Sequence, residues 1–356
     1  MAALINKSKK VIYKGTWELI KKSKPRPQIE TVFSRKAEYE PGFFEFVKIC
    51  KEPAYIEPKW GYIITKKGVI IENSLPRGAA STLISWRFGL PSPLEGFKAP
   101  KEQYPKIVKY PKVISLRYLW EWNYYHFFFD VLGKLSLIDS LNIDPSIPIV
   151  LGRYAMELPF VKEIINSGEF KNRNWIIQDN SYVLADEIIY CCQKVGHKFI
   201  ADYLLQRLDL PGDQHAFNEK IFLTRGTSAT RRILNNDEVM TVLRDYGFKV
   251  VDTSKLPVSE QMKIFNKTRY LVGIHGAGLT NIIFRQDAPL SVLELHCEGY
   301  ISPDFKAICR VQGYDWDDLA GEPEFKSSQN SNFYISPELL AEKLKKMLNV
   351  SSLSRV

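Results

Sequence analysis

Apolar and polar positions are patterned most regularly in the last third of the chain, where short apolar runs alternate with longer amphipathic ones. "KIFLTR" (220–225) predicts a strand. "NNDEVMTVLRDYGF" (235–248) predicts a helix: Asn235 stands at the cap, Glu238 completes a capping-box pattern, and Gly247 ends it. "KVVDT" (249–253) predicts a strand, and "SEQMKIFNKTR" (259–269) an amphipathic helix opened by Ser259. The strand "YLVGI" (270–274) runs into a glycine turn and a short helix through Phe284. "SVLEL" (291–295) is the next strand and "PDFKAICRVQG" (303–313) the next helix. Alternation at these lengths predicts right-handed βαβ units and a parallel, doubly wound sheet. Ligands of such sheets bind at the carboxyl ends of the strands. Arg225, His275 and Glu294 lie at or next to such ends.

The first half is less regular but again α/β. "WGYIITKKGVIIENS" (60–74) predicts a hairpin turning at Lys66–Gly68, and "EWNYYHFFFDVLGKLSLIDSLNI" (121–143) a long helix. A buried strand "IPIVLG" (147–152), a helix "LPFVKEIINSG" (158–168), a strand near "WIIQ" (175–178) and the run "EIIYCC" (187–192) follow. The expected organisation is an N-terminal extension together with part of the first domain through residue 110, a Rossmann-like domain at 111–205 and a second at 218–330. "DLPGDQHAFNE" reads as the linker where the two meet, and the C-terminal helix within 331–356 can pack on either domain.

Composition narrows the class without choosing a ligand. With 45% hydrophobic and 13% aromatic residues over 356 positions, the chain can fill full-sized cores. Its formal charge of +9 suits anionic partners such as nucleotides, nucleic acid, headgroups or acidic glycans. Cys50, Cys191, Cys192, Cys297 and Cys309 show no CxxC spacing, so neither a disulfide framework nor a zinc site is expected, and a reducing compartment is. The N-terminus has neither a signal-peptide core nor a membrane span, which predicts a cytoplasmic chain. Its Lys7, Lys9, Lys10, Lys14, Lys21, Lys22 and Lys24 mix with apolar residues, as a solvated first helix or a contact with the cytosolic face of a membrane would require.

Three constellations carry candidate chemistry. In "VGIHGAGLTNIIF" (272–284), a strand ending at Ile274 meets a helix starting near Gly278, which aims backbone N–H groups and a positive helix end at a bound group. His275, Thr280 and Asn281 add donors, and the glycines let backbone approach a phosphate; the bland alternative is a tight turn. This is not the GxGxxG dinucleotide fingerprint, which weighs against a nicotinamide enzyme. In "LTRGTSATRRILNN", Arg225, Arg231 and Arg232 border a small-residue loop, suited to bidentate binding of a diphosphate or simply solvated. In "NYYHFFFD", His126 and Asp130 share one helix face with Asn123, as a general base and its orienting acid would, or as a pair serving packing alone. Asp315-x-Asp317 in "YDWDD" resembles a metal-holding spacing but reads as an exposed acidic turn.

Taken in order, the arginine loop, the GF turn, the helix "EQMKIF", "HGAGLTN" and "VLEL" resemble glycosyltransferase family 61, and "NYYHFFFD" is similar to that family's N-x-x-H-x-x-x-[DE] helix. The likeness covers roughly residues 117–313. It implies the GT-B fold, two Rossmann-like domains facing across a donor/acceptor cleft, in inverting enzymes that need no metal or other cofactor. Arg225, Arg231, His275, Gly276, Ala277, Gly278, Leu279, Thr280 and Asn281 would then bind the donor diphosphate, and Glu294 the ribose or sugar. His126 or Asp130 would be the catalytic base, with Asn123 on the acceptor side. The implied partners are a nucleotide-sugar donor, uridine-based, and a glycan or lipid-linked glycan acceptor. A non-catalytic nucleotide-sugar or glycan binder on the same fold is the alternative. Nucleic acid is not expected, because the arginines gather at strand ends instead of forming a basic stripe with stacking aromatics. "RQDAPLSVLEL" departs from the family's usual proline–glycine turn.

Overall fold

A computed structural model describes residues 26–37, 44–75, 107–192, 198–208, 218–226, 230–285, 289–299, 302–325, 328 and 330–353. The basic stretch before residue 25 and most of the expected linker, 209–217, lie outside the described residues. The chain divides into two compact units, Met1–Ile165 with Glu169–Gly196, and Asn166–Gly168 with His197–Val356.

In the first unit, β1 (Ile29–Lys36) pairs antiparallel with β2 (Phe44–Cys50), and β3 (Ala54–Ile56) with β4 (Ile63–Thr65). The hairpin after β4 turns where expected: Gly68 has φ +77° and donates to the Thr65 carbonyl at 2.8 Å. β5 (Ile107–Ser115) leads into a helix, α1, over residues 124–139. β6 (Ile149–Gly152), α2 (Arg153–Glu157), α3 (Pro159–Ile165), β7 (Trp175–Gln178) and β8 (Tyr182–Cys191) follow. The sheet runs β1-β2-β8-β5-β6-β7, with β3 also on β8. Only β8, β5, β6 and β7 are parallel; the strands before them join antiparallel, so this is a mixed sheet rather than a uniform doubly wound one. β8 begins at Tyr182, earlier than the apolar run "EIIYCC" suggests, because its first half is a buried strand too.

α1 is shorter than the apolar stretch that announces it. Asn123 caps it, its side chain accepting from the amides of Tyr125 and His126, and Asn142 beyond its end takes φ +53°. Phe127, Phe128, Phe129, Leu132, Leu135 and Ile138 are all buried, so the helix is apolar on every side and lies within the core. Residues Phe127–Val131 form a π-helical turn between α-helical ends at Tyr124–His126 and Leu132–Asp139. Such turns are rare, occur mostly as single turns inside α-helices and are frequent at functional sites.

The second unit opens with α4 (Lys198–Arg207), a helix the sequence reading did not single out. Then come β9 (Glu219–Leu223), α5 (Asn236–Asp245), β10 (Lys249–Val251), α6 (Val258–Lys267), β11 (Thr268–Ile274), a 3₁₀ run Ala277–Phe284, β12 (Ser291–Cys297), α7 (Asp304–Gln312), β13 (Asp315–Pro323), β14 (Phe333–Tyr334) and α8 (Pro337–Leu353). The sheet order is β10-β9-β11-β12-β13-β14, parallel throughout except for β14. α8 settles on this unit: Leu340 and Leu344 share one buried cluster with Val239, Leu243, Leu293, Leu295 and Phe333.

Four local expectations are corrected here. "YDWDD" is the start of the fifth parallel strand, held on β12 from Ser291↔Asp315 onward, because the alternation of Trp316 and Asp318 with Asp317 and Leu319 is strand periodicity. β12 runs on to Cys297, so Glu294 sits mid-strand and not at its end. Asn235 makes no cap hydrogen bond; its amide clamps the backbone of Ile335 on both sides, at 2.8 and 3.0 Å, and also meets Glu238. α6 begins at Val258 after Pro257, with no side-chain cap from Ser259.

Candidate active site

The second unit places its polar residues at the carboxyl ends of β9 and β11. Arg225 leaves the end of β9, and Arg231 takes a left-handed conformation, φ +58°, that a non-glycine residue rarely adopts. Both guanidinium groups converge on one acceptor: Nη1 of Arg225 and Nη1 of Arg231 donate to the His275 carbonyl at 3.1 and 3.2 Å. Burial, then the neighbouring Arg231 charge, pulls Arg225 down to about 10 from its ordinary 12.5. Two like charges held this close are held at a cost that an anion would relieve.

The same contact explains Gly276. Its φ of 166° is extended backbone open to any residue, so no conformational strain selects glycine there. A Cβ at this position would instead lie 2.0 Å from Nη1 of Arg225. Gly276 therefore makes room for the guanidinium over the turn. A Cβ at Gly278 would meet Leu223 and Thr253 at 3.3 Å, a packing contact between the turn and its neighbours.

His275 is buried, and its ring is fixed by a chain of contacts across strands. Nδ1 lies 2.5 Å from Oε1 of Glu294, whose Oε2 accepts from the indole N–H of Trp316 at 3.0 Å, and Phe305 packs edge-on against the imidazole. Glu294 thus faces His275 directly, and the indole that completes the chain comes from the stretch read as an acidic turn. Leu279, Thr280 and Asn281 are fully buried. The Asn281 amide donates to Gln261 at 2.7 Å and to the Gly278 carbonyl at 3.0 Å, tying the turn to α6. The residues of the motif that are not sunk into the core are Ala277 and Gly278, half-buried, beside His275 and Gly276. A second histidine–acid pair, His296 with Asp318 at 2.8 Å, lies farther along β12 and β13.

In the first unit the polar residues again gather where parallel strands end. His126 Nδ1 lies 2.5 Å from Oδ2 of Asp130 across the π turn, with the imidazole half-buried and the carboxylate buried. When Nδ1 donates to Asp130, Nε2 of the neutral ring is left as an acceptor. The imidazole stacks on Trp120 at 5.3 Å and lies 5.5 Å from Tyr118. Asn123, expected on the acceptor side, uses its side-chain oxygen as the helix cap.

Beneath this pair lies a buried ionic network that sequence reading missed. Arg117, just past β5, donates from Nε to both carboxylate oxygens of Glu121 at 3.0 and 3.1 Å and from Nη1 to the Pro58 carbonyl and to Gln178 at the end of β7. Gly152, at the end of β6, is pressed against it: a Cβ there would lie 1.9 Å from Oε1 of Glu121. Lys134, on α1, donates to the Arg117 carbonyl at 2.9 Å. Burial lowers its proton affinity, opposed by the charges of Asp130 and Glu121 among others. The visible signals were a lysine inside the apolar run "DVLGKLSLI" and the Arg117-x-x-x-Glu121 spacing before the helix.

Among the described residues, no group of three or more His, Cys, Asp or Glu is arranged to hold a metal ion, and no helix is long and apolar enough to cross a membrane.

The family model for glycosyltransferase 61 matches residues 124–291, which takes in the His126–Asp130 turn, both arginines and the whole glycine turn. Residues 124–291 belong to the glycosyltransferase 61 family. This family-61 region is similar to the EGF domain-specific O-linked N-acetylglucosamine transferase of Drosophila melanogaster, 30% identical over 132 residues, 35% of this chain and 25% of that protein. The mouse enzyme of the same name is 32% identical over 120 residues, 31% of this chain and 22% of that protein. The rice (Oryza sativa subsp. japonica) alpha-1,3-arabinosyltransferase XAT3 is 38% identical over 58 residues, 15% of this chain and 10% of that protein. The chain thus spans at most about a quarter of the length of these curated relatives.

Proposed function

We propose that this chain is a glycosyltransferase that moves a sugar from a nucleotide-diphosphate donor, uridine-based, to a hydroxyl of a glycan or glycoprotein acceptor, with inversion and without a metal. In this reading its two units are the Rossmann-like halves of a GT-B enzyme, the second holding the donor and the first the acceptor. The observation that carries it is the convergence of Arg225 and Arg231 on the His275 carbonyl, at the strand ends where doubly wound sheets bind ligands. Two guanidinium groups at one point fit a diphosphate better than a neutral ligand. The family match and the relatives' names support sugar transfer as the chemistry.

Each residue then has a defined task. Nε2 of His126 takes the acceptor proton while Asp130 holds Nδ1, and the acceptor oxygen attacks the anomeric carbon in line, breaking its bond to the diphosphate. Arg225, Arg231, His275 and the Gly276–Gly278 backbone stabilise the charge that builds on the leaving oxygens. Glu294 acts by orienting His275, and ribose or sugar contact falls to other groups of that unit.

Thermal-shift and calorimetric titration with UDP and a panel of nucleotide sugars, with and without EDTA, tests the donor, the base and the metal together. UDP is expected to stabilise the chain equally in both buffers, and Arg225→Ala to lower turnover by roughly 10²–10³. No response to any nucleotide, or full activity in the Arg225 variant, overturns the assignment.

A further inference from the structure

We propose that the segment between β5 and α1, with the start of α2, forms a subsite for a sugar ring, so that the acceptor is recognised as a carbohydrate and not as a protein surface. This rests on the proposed sugar transfer and names the acceptor's chemistry at the His126 site. Among the described residues of the first unit, the exposed large apolar side chains fall into two groups. Val32 and Phe44 lie on β1 and β2; Trp120, Trp122, Tyr154 and Ile177 lie in or just after β5, β6 and β7. Trp120 is 37% exposed, Trp122 52% and Tyr154 81%, although aromatic rings of this size are ordinarily well covered.

The segments that carry these rings run side by side. Gly152 abuts the Glu121 carboxylate so closely that no Cβ fits between them. The residues flanking Glu121 are Trp120 and Trp122, and Tyr154 follows Gly152 by two positions. α1 also packs on α3, with Tyr124 and Phe127 against Phe160 at 5.0 and 5.6 Å. The aromatic surface is also joined to the candidate base, since the His126 ring stacks on Trp120 with an interplanar angle of 27°.

The chemistry of the occupant follows from that junction. A group that covers indole surface and still delivers a hydroxyl to His126 must be apolar on one face and rich in hydroxyls at its edge. A pyranose or furanose ring is built that way. A peptide segment brings backbone N–H and C=O groups that need partners, and an aromatic surface offers few. The charges beside it are paired off, Arg117 with Glu121 in the interior and Arg153 with Glu157 on α2, so these residues leave no unpaired charge to select an ionic ligand.

Saturation-transfer difference NMR on the full chain, with xylobiose, cellobiose, lactose and chitobiose as probes, tests the subsite, and UDP binding is titrated in the same samples. Saturation is expected on the ring C–H protons of at least one disaccharide. Trp122→Ala and Trp120→Ala should weaken that binding by about tenfold, Trp120→Phe less, and Phe325→Ala, at an exposed position in the other unit, not at all. UDP affinity and melting temperature should not change in Trp122→Ala, which separates loss of the subsite from loss of the fold. If UDP binds but no disaccharide does, or the tryptophan variants bind sugars as the parent chain does, the subsite is wrong while the transferase reading stands. If the parent chain binds no nucleotide, the transferase reading itself fails.

Discussion

The two units each hold a histidine whose Nδ1 meets a carboxylate at 2.5 Å, yet the surroundings of the two pairs differ in every other respect. His126 and Asp130 are four residues apart on one helix, with the imidazole half-exposed beside Trp120 and Tyr118. His275 and Glu294 come from neighbouring parallel strands, both buried, with Trp316 closing the far side of the carboxylate and two arginines on the histidine's own carbonyl. A half-exposed imidazole can exchange a proton with a substrate that comes and goes. A buried imidazole among fixed donors is better suited to holding charge in place. On the proposed reading, a histidine–carboxylate pair therefore has a different task in each unit, set by its surroundings.

Variants of the two pairs break or sharpen that contrast. Asp130→Asn keeps the shape of the carboxylate but removes its charge from His126; transfer should fall by roughly 10²–10⁴ while calorimetric UDP affinity is unchanged. Equal losses in both quantities would mean that the first pair only supports the fold. Next in size is Gly152→Ala, which pushes a methyl into the Arg117–Glu121 pair; denaturant unfolding should show a loss of about 1–3 kcal/mol. Glu294→Gln should act on the donor side, with UDP bound about tenfold more weakly and turnover at saturating donor little altered, since a hydrogen bond to a charged group contributes about 1.5–3 kcal/mol. A turnover defect of the size expected for Asp130→Asn would erase the distinction between the pairs. Gly276→Ala should be the mildest in stability, within about 1 kcal/mol, because its backbone is extended and the displaced group is the tip of a flexible side chain. Its effect should appear as weaker UDP binding.

Arg225 adds a pH and anion dependence whose sign is fixed. Its folded-state value of about 10 lies below the ordinary 12.5, so the folded chain bears a penalty for that charge at every pH below about 10, relieved only as pH rises from there toward 12.5. A bound dianion relieves it at neutral pH. Pyrophosphate should therefore raise the melting temperature at pH 7, and Arg225→Ala should abolish the rise. A rise of the same size in the variant would place the anion elsewhere.

The legible part of the molecule was the part encoded by short spacings. The helix and strand alternation after residue 218, the hairpin turn at Gly68 and the His126–Asp130 pair all follow from periodicity or an i, i+4 interval, and all stand in the structure. The glycine turn was legible as a strand-to-helix turn but not in its detail. Gly276 accommodates Arg225 from another strand, and Asn281 serves α6, because the partners of both arrive from far along the chain.

What the sequence by itself determined was therefore which residues could act within one turn of helix or one strand, since hydrophobic period and backbone geometry act over a few positions. The tertiary structure alone decided that Glu294 faces His275, that Trp316 stands behind Glu294 and that "YDWDD" is a strand. It alone also joined Lys134, on the helix that carries His126, to the Arg117 carbonyl beside the buried Arg117–Glu121 pair. Those contacts join elements whose register is set by packing across the sheet, and no local pattern specifies which side chain of one strand will meet which side chain of the next.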